Sequence, residues 1–217
     1  MSHPRLVIFD NDGVLVDSER ISNVVFAALI TEHGLPTTFE ESVALYMGKR
    51  TSDCVGLIEA SLGRALPPDF VHQYERRCET VLRRELAPVD GARELVEALR
   101  TRGSDYCIAS SGTPDEIALR LNLTGLASLF DANVYSASMV ERGKPAPDLF
   151  LHAAASHAVE ASDCVVIEDS TAGVTAARAA GMRVIGHAAL ASAERLRDAG
   201  ADEVVTTMRD VPSLLGF

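Results

Sequence analysis

The chain has 217 residues, of which 47% are hydrophobic and 24% are charged, so it has the composition of a globular protein and not of a disordered one. Its formal net charge of −11 argues against a surface that binds nucleic-acid phosphates. It contains no run of 18 apolar residues, so we expect no segment that spans a membrane.

Short apolar runs have the length and composition of strands that are buried on both faces. They cover residues 6–9, 106–109, 164–167 and 183–186, and a weaker run covers 132–135. Apolar strands of this kind are typical of a parallel sheet covered by helices on both sides.

Helical patterns separate these runs. One covers residues 92–99, another begins at Thr113 with a capping box and a proline in the first turn, and a third covers 170–181. Strands that alternate with helices predict an α/β fold built on a doubly wound parallel sheet.

A long segment without any strand pattern interrupts this alternation directly after the first strand. Its helical patterns cover residues 17–33, 39–47, 52–62 and 70–86. We therefore predict an all-helical inserted domain at residues 17–88 and a core domain formed by residues 1–16 and 89–217. The alternative is that these helices belong to the main layers of the fold.

Polar residues follow the ends of the predicted strands. They are Asp10 and Asp12, Ser110 and Ser111, Lys144, and Glu168 and Asp169. Because ligands of open parallel sheets bind beyond the carboxyl ends of the strands, we expect these residues to share one site. Four carboxylates in one pocket require a cation, and oxygen ligands suit Mg²⁺. The Ser110 hydroxyl, the N–H groups of the 111–112 turn and the Lys144 ammonium suit a phosphoryl group.

Each feature also has an ordinary structural explanation when it is taken alone. An Asp-x-Asp pair is common in turns, Ser110 could cap a helix, and Lys144 could be a solvated surface residue. Glu168 and Asp169 could belong to a charged first helical turn. Their occurrence together after successive strands favours a single site for Mg²⁺ and phosphate.

Four segments resemble the sequence motifs of the haloacid dehalogenase (HAD) superfamily, in its branch of small phosphatases and β-phosphoglucomutase-like enzymes. The matches are residues 6–18, Ser110, residues 144–150 and residues 168–182. The resemblance implies a Rossmann-like core, and it implies that the inserted helical domain is a cap. It also implies that Lys49 and Arg50, in a loop of that domain, contact the substrate, although a solvated turn is an equal alternative.

The resemblance further implies a role for each matched residue. Asp10 would be the nucleophile that forms an aspartyl-phosphate, Asp12 would be the general acid and base, and Ser110 and Lys144 would hold the phosphoryl oxygens. The ligands of Mg²⁺ would be the Asp10 carboxylate, the backbone carbonyl of Asp12, Asp169, and Glu168 either directly or through water.

These observations predict a Mg²⁺-dependent phosphatase for a small phosphorylated metabolite, a sugar or sugar-acid phosphate. A phosphosugar mutase is the alternative enzyme, although the histidine that the family's hexose-phosphate mutases carry near the position of Ser22 is absent. Asp12 argues against a dehalogenase, because the family's dehalogenases lack this second aspartate. A non-catalytic phosphoryl-binding regulatory protein is the alternative from another class.

The cellular context follows from the cysteines and the N-terminus. The four cysteines form no C-x-x-C pair and no signal peptide is apparent, so we expect a reduced, cytoplasmic protein. The expected partner is a small phosphorylated metabolite, with no nucleic acid and no membrane. The sequence leaves the oligomeric state open between a monomer and a weak dimer.

Overall fold

The computed structural model of the protein describes residues 4–47, 49, 51–131 and 133–217. The chain divides into two compact units. The core unit comprises Met1–Asp17 and Ala87–Phe217, and the helical unit comprises Ser18–Leu86.

A parallel sheet lies at the centre of the core unit. Within the described residues its strands are β1 (Leu6–Phe9), β2 (Asp105–Ser110), β3 (Val134–Ser136), β4 (Cys164–Glu168), β5 (Arg183–His187) and β6 (Glu203–Val205). Their order is β3–β2–β1–β4–β5–β6, and every adjacent pair is parallel. The order reverses beside β1, which confirms the predicted doubly wound sheet.

Two strands differ from the sequence prediction. β3 covers Val134–Ser136, so Asn133 lies before the strand and Ser136 extends it beyond the predicted end at 135; residue 132 of the predicted run lies outside the described residues. β6 was not predicted, because this three-residue strand at the edge of the sheet is only partly buried and lacks a continuous apolar run.

Four helices form the described part of the helical unit. They are α1 (Ser18–Glu32), α2 (Phe39–Tyr46), α3 (Thr51–Leu62) and α4 (Phe70–Glu85). A reciprocal capping box between Thr38 and Glu41 fixes the start of α2. Phe26, Ile58 and Phe70 are buried in a hydrophobic cluster of this unit's own side chains, so the unit has its own core.

The remaining helices belong to the core unit. They are α5 (Ala92–Arg102), α6 (Pro114–Leu123), α7 (Ala127–Phe130), α8 (Asp148–Ser156), α9 (Thr171–Ala179), α10 (Ala193–Asp198) and α11 (Val211–Leu215), with short 3₁₀ helices at Ala137–Met139, Ala161–Asp163 and Met208–Asp210. Leu149 and Phe150 of α8 and Val174 of α9 belong to one buried cluster with sheet residues such as Ile8 and Val166. This packing fixes the strand ends that carry the polar residues.

Within the described ranges, none of the helices combines the length and the apolar character needed to cross a bilayer. The four cysteine thiols are all buried.

Candidate active site

The central position of β1 brings three strand ends together. Phe9, the last residue of β1, is in register with Ile108 of β2 and with Ile167 of β4. Asp10 follows directly, and its N–H donates to the carbonyl of Ile167 at 3.0 Å. Ser110 and Glu168 end the two flanking strands, so both lie beside Asp10 at the carboxyl edge of the sheet.

A buried lysine bridges two of these carboxylates. Lys144 Nζ donates to Asp10 Oδ1 at 2.5 Å and to Glu168 Oε1 at 2.6 Å. Its side chain is only 4% exposed and that of Glu168 only 1%. Ions at this depth are tolerated only when they are paired, so the three side chains hold one another in place. The predicted proximity of Asp10, Lys144 and Glu168 is therefore observed.

Burial and the neighbouring charges shift the pKa values of Asp10 and Lys144. Burial raises the pKa of Asp10 to about 7, Lys144 opposes this rise, and Glu168 and Asp12 add to it. Burial lowers the pKa of Lys144, but Asp10 and Glu168 outweigh it and hold that pKa above its ordinary value. Lys144 therefore stays charged, and an added cation would favour the ionised form of Asp10.

Glu168 is engaged through both of its carboxylate oxygens. Its Oε1 accepts from Lys144, while its Oε2 accepts from the N–H of Ser170 at 2.7 Å and from the hydroxyl of Ser170 at 2.9 Å. The Ser170 hydroxyl also accepts from the N–H of Gly173 and so caps α9. Glu168 thus ties Lys144 to the start of a helix.

Asp12 pairs with an arginine that the sequence analysis did not identify. Arg120 Nη1 of α6 donates to Asp12 Oδ2 at 2.5 Å, and Asn11 Nδ2 donates to the same oxygen at 3.3 Å. Eighteen of the 20 basic residues are arginines, and no motif distinguishes Arg120 from the others. Only the packing of α6 reveals this contact.

Gly13 brings Asp169 close to the loop that carries Asp12. Gly13 has a positive φ of +75°, and a β-carbon at this position would collide with the Asp169 carboxylate. The carbonyl of Gly13 lies 2.8 Å from His187 Nδ1. Burial lowers the pKa of His187, which favours a neutral ring whose Nδ1–H donates to this carbonyl.

The turn after β2 is held from two sides. The Ser110 hydroxyl accepts from the N–H of Gly112 at 3.1 Å, and the buried Ser136 of β3 donates its hydroxyl to the carbonyl of Gly112 at 2.6 Å. The N–H of Gly112 is therefore engaged within the turn, unlike the anion-binding N–H expected from the sequence. Ser111 is exposed beside it. Sequence reasoning missed Ser136, because a lone serine after a weak strand carries no motif.

The donor atoms at this edge have the chemistry that a small divalent cation prefers. Asp10, Asp169 and the carbonyl of Asp12 offer only oxygen, as Mg²⁺ prefers. The raised pKa of Asp10 reflects burial and repulsion that such a cation would relieve. The carboxylates do not converge as a ready cage, however, since no three His, Cys, Asp or Glu residues among those described are arranged to hold a metal.

The helical unit contains a cavity of about 200 Å³. Its polar lining residues include Glu19, Ser22, Asn23, Tyr46, Lys49 and Thr51. Phe26 and Tyr74 add an aromatic wall, with their ring centroids 4.9 Å apart. Lys49, predicted to contact substrate, lies in the bend after α2, whereas Arg50 lies outside the described residues.

These features define a class of protein. Carboxylates, a buried lysine and a serine meet at the carboxyl edge of a doubly wound sheet, as a phosphoryl-transfer site requires. Residues 7–187 match the family described as haloacid dehalogenase-like hydrolase, so the chain belongs to that family.

Two curated relatives indicate which kind of hydrolase the chain is. The chain is 33% identical over 183 residues to the probable pseudouridine-5'-phosphatase of Drosophila melanogaster, covering 82% of this chain and 79% of the relative. It is 28% identical over 185 residues to the 6-phosphogluconate phosphatase of Escherichia coli (strain K12), covering 85% and 82%. These relatives place the chain among the phosphoric monoester hydrolases of the family.

Two further comparisons concern a longer protein and a solved structure. The chain is 38% identical over 200 residues to Protein SUPPRESSOR OF QUENCHING 1, chloroplastic, of Arabidopsis thaliana; this stretch covers 89% of the chain but only 19% of that protein. A HAD family hydrolase from Deinococcus radiodurans R1, solved with bound phosphate and sodium, has a TM-score of 0.89 and 32% identity, and the match covers 99% of this chain and 96% of that one.

Proposed function

We propose that the protein is a Mg²⁺-dependent phosphatase that hydrolyses a small phosphorylated sugar or sugar acid through an aspartyl-phosphate at Asp10. The observation that carries this proposal is the buried Lys144, which bridges Asp10 and Glu168 at the strand ends. A binding protein would not need to bury a carboxylate against an ammonium and place a second aspartate two residues later. Nucleophilic catalysis uses such a group, since the lysine orients the carboxylate and offsets its charge.

The reaction divides into two steps. In the first, an Asp10 oxygen attacks phosphorus, the bond to the leaving oxygen breaks, and Asp12 gives that oxygen a proton. In the second, water attacks the phosphorus of the aspartyl-phosphate, Asp12 accepts a proton from the water, and Asp10 is released as a carboxylate. Lys144 and the Ser110 hydroxyl hold the phosphoryl oxygens, while the exposed Ser111 lies beside them in the turn.

Mg²⁺ would be held by the Asp10 carboxylate, the Asp12 carbonyl and Asp169. When bound, it neutralises the charge of the phosphoryl oxygens during transfer. Glu168 already accepts hydrogen bonds at both oxygens, so we propose that it contributes through Lys144 and through water. A solved relative with bound phosphate and sodium supports a cation and a phosphate at this fold.

The cavity of the helical unit supports a hydroxyl-rich substrate. Ser22, Thr51 and Tyr46 offer hydroxyl groups, Glu19 offers an acceptor and Lys49 a donor, which together suit the alternating donors and acceptors of a sugar or polyol. Two relatives are named for phosphorylated sugar compounds, 6-phosphogluconate and pseudouridine 5'-phosphate. We assign substrate selection to this cavity and to Lys49, with Arg50 as the second basic residue of the same loop.

The proposal also includes a cellular location and an oligomeric state. Four buried thiols support a reducing, cytoplasmic location. We propose a monomer or a weak dimer, which sedimentation at several protein concentrations would distinguish.

Phosphate release from a panel of phosphorylated sugars, polyols and sugar acids tests the function. We expect one compound class to be hydrolysed with Mg²⁺ and none in excess chelator. Asp10→Asn should abolish turnover, and Asp12→Asn should reduce it by about 10²–10⁴-fold, the usual contribution of general acid–base catalysis. Lys49→Ala should lower kcat/KM for the best sugar phosphate more than for 4-nitrophenyl phosphate.

Several outcomes would contradict the proposal. Wild-type turnover in Asp10→Asn, or full activity in chelator, would exclude the covalent or the metal-dependent mechanism respectively. Conversion of a sugar phosphate into an isomer without release of phosphate would identify a mutase instead.

A further inference from the structure

The contact between Arg120 and Asp12 has no counterpart among the sequence motifs. Both side chains lie within the core unit, and they are 21% and 22% exposed. The guanidinium and the buried Asn11 amide both donate to Oδ2 of Asp12. Two groups from different parts of the chain therefore hold Oδ2 of this carboxylate.

Two donors on one oxygen restrict how a carboxylate can rotate. The terminal torsion of an aspartate is broad when nothing holds it, so an aspartate in a loop samples many orientations. The ion pair with Arg120 limits this rotation and so sets the direction of the second oxygen, Oδ1. Proton transfer requires a group within hydrogen-bond reach of the reacting oxygen, and an error of about 1 Å can cost about 10²-fold in rate.

Arg120 projects from a helix that is well anchored. A capping box between Thr113 and Glu116 fixes the start of α6, and Ile117 and Leu121 are buried on its inner face. The guanidinium therefore comes from a rigid element, whereas Asp12 lies in a loop. Side chains on helices and strands are held more precisely than those on loops, so Arg120 is suited to orient Asp12.

We propose that Arg120 is a positioning residue, which directs the Asp12 carboxylate so that Oδ1 exchanges the proton with the leaving oxygen and then with water. This inference rests on the proposed function, because it assigns Arg120 to the proton-transfer steps of that reaction. Arg120 touches no reacting atom and acts only through Asp12. It therefore affects the steps in which Asp12 moves a proton and leaves phosphoryl binding unchanged.

The test compares Arg120→Gln with the wild type on two substrates that share the phosphoryl group. One is the best alkyl phosphate from the panel, whose leaving oxygen needs a proton, and the other is 4-nitrophenyl phosphate, whose leaving group departs without one. We expect kcat on the alkyl phosphate to fall at least tenfold with KM within threefold. The first-turnover release of 4-nitrophenol should stay within threefold of the wild type.

Two matched variants separate position from charge and from stability. Arg120→Lys keeps the positive charge and should recover part of the lost kcat. Arg209→Gln removes an ion pair with Asp90, whose 2.6 Å contact lies elsewhere on the core unit, and should leave kcat unchanged. Thermal unfolding midpoints of all variants show whether any loss reflects unfolding.

A double-mutant cycle with Asp12→Asn gives the decisive result. If Arg120 acts through Asp12, Arg120→Gln should cost less than twofold in the Asp12→Asn background. A similar loss in both backgrounds would overturn the inference. So would equal losses on both substrates together with weaker inhibition by inorganic phosphate, because Arg120 would then bind the phosphoryl group itself.

Two further outcomes distinguish a failure of this inference from a failure of the proposed function. An active wild type and an unaffected Arg120→Gln would overturn the role of Arg120 alone. A wild type with no phosphatase activity would overturn the proposed function, and this inference with it.

Discussion

Glu168 owes its position to the absence of a side chain at Gly173. A β-carbon at Gly173 would collide with the Glu168 carboxylate. The close approach lets the carboxylate reach Ser170 at the start of α9 while it also accepts from Lys144. Because Gly173 has no side chain, Glu168 can occupy the position in which it accepts a hydrogen bond from Lys144.

Gly173→Ala tests this close approach. Replacing a glycine inside a helix by alanine ordinarily stabilises a protein by about 1 kcal/mol. Here we expect the opposite, because the methyl group would displace Glu168 and leave Lys144 with a weaker partner. Turnover should fall at least tenfold, with a lower unfolding midpoint. Steady-state kinetics and thermal unfolding provide the measurements.

Gly56→Ala is the matched control. Gly56 also lies inside a helix, α3, and nothing stands within 4 Å of a β-carbon built there. We expect this variant to be as stable as the wild type or more so, with unchanged turnover. If Gly173→Ala behaved in the same way, the packing of Glu168 against α9 would not matter for the site.

The turn after β2 is held in place by residues of two neighbouring strands, β2 and β3. Ser110 belongs to β2, but the carbonyl of Gly112 in its turn accepts from Ser136 of β3. Ser136 is fully buried, and its hydroxyl also accepts from the N–H of Ser138. The edge strand β3 therefore helps to fix the turn that presents the Ser110 hydroxyl.

Ser136→Ala should loosen this turn. It leaves the carbonyl of the partly buried Gly112 without its donor, which should cost about 1 kcal/mol of stability. We expect the inhibition constant of inorganic phosphate to rise by roughly three- to tenfold, since about 1 kcal/mol corresponds to fivefold. Competitive inhibition by phosphate measures the effect, and Ser156→Ala, which removes an exposed hydroxyl from α8, is the control. An unchanged inhibition constant would limit Ser136 to a structural role.

The strands and the site were predictable to different extents. Strand runs such as 164–167 and the Asp10 and Lys144 motifs were readable because continuous apolar runs and fixed spacings are local properties. Arg120 and Ser136 were not, because their partners lie 108 and 24 residues away and only the packing of α6 and β3 creates the contacts. β6 was not predicted for a related reason: it has only three residues, and they pair with a single neighbouring strand at the edge of the sheet.

At the scale of the whole molecule, the chain consists of two compact units with separate hydrophobic cores. The phosphoryl chemistry that we propose uses side chains of the core unit only, from Asp10 to Asp169. The cavity that we assign to substrate selection is lined by the helical unit only. The proposed chemistry and the proposed substrate selection thus depend on side chains of different units.

The stability of the core unit should depend on pH through His187. This side chain is buried at the end of β5, and burial holds its pKa below the ordinary value of 6.5. Between its pKa in the folded state and 6.5, the unfolded chain binds more protons than the folded one, so stability rises with pH. Above 6.5 the imidazole is neutral in both states and adds no pH dependence.

The measurement is urea unfolding followed by circular dichroism at several pH values from 5.5 to 7.5. Asp10 acts in the opposite direction, because a carboxyl with a raised pKa favours the folded state as pH falls. Only the difference between the wild type and His187→Gln isolates the histidine. We expect the wild type to lose up to about 1.4 kcal/mol more per pH unit below 6.5 than His187→Gln does.

His72→Gln, which removes an exposed imidazole from α4, is the control for the loss of a histidine as such. The His187→Gln variant keeps a side-chain N–H donor that could reach the carbonyl of Gly13, so it should fold at pH 7.5. Parallel stability curves for the wild type and His187→Gln would contradict the prediction. They would mean that the ring accepts a proton without leaving its buried position or losing its bond to the loop that carries Asp12.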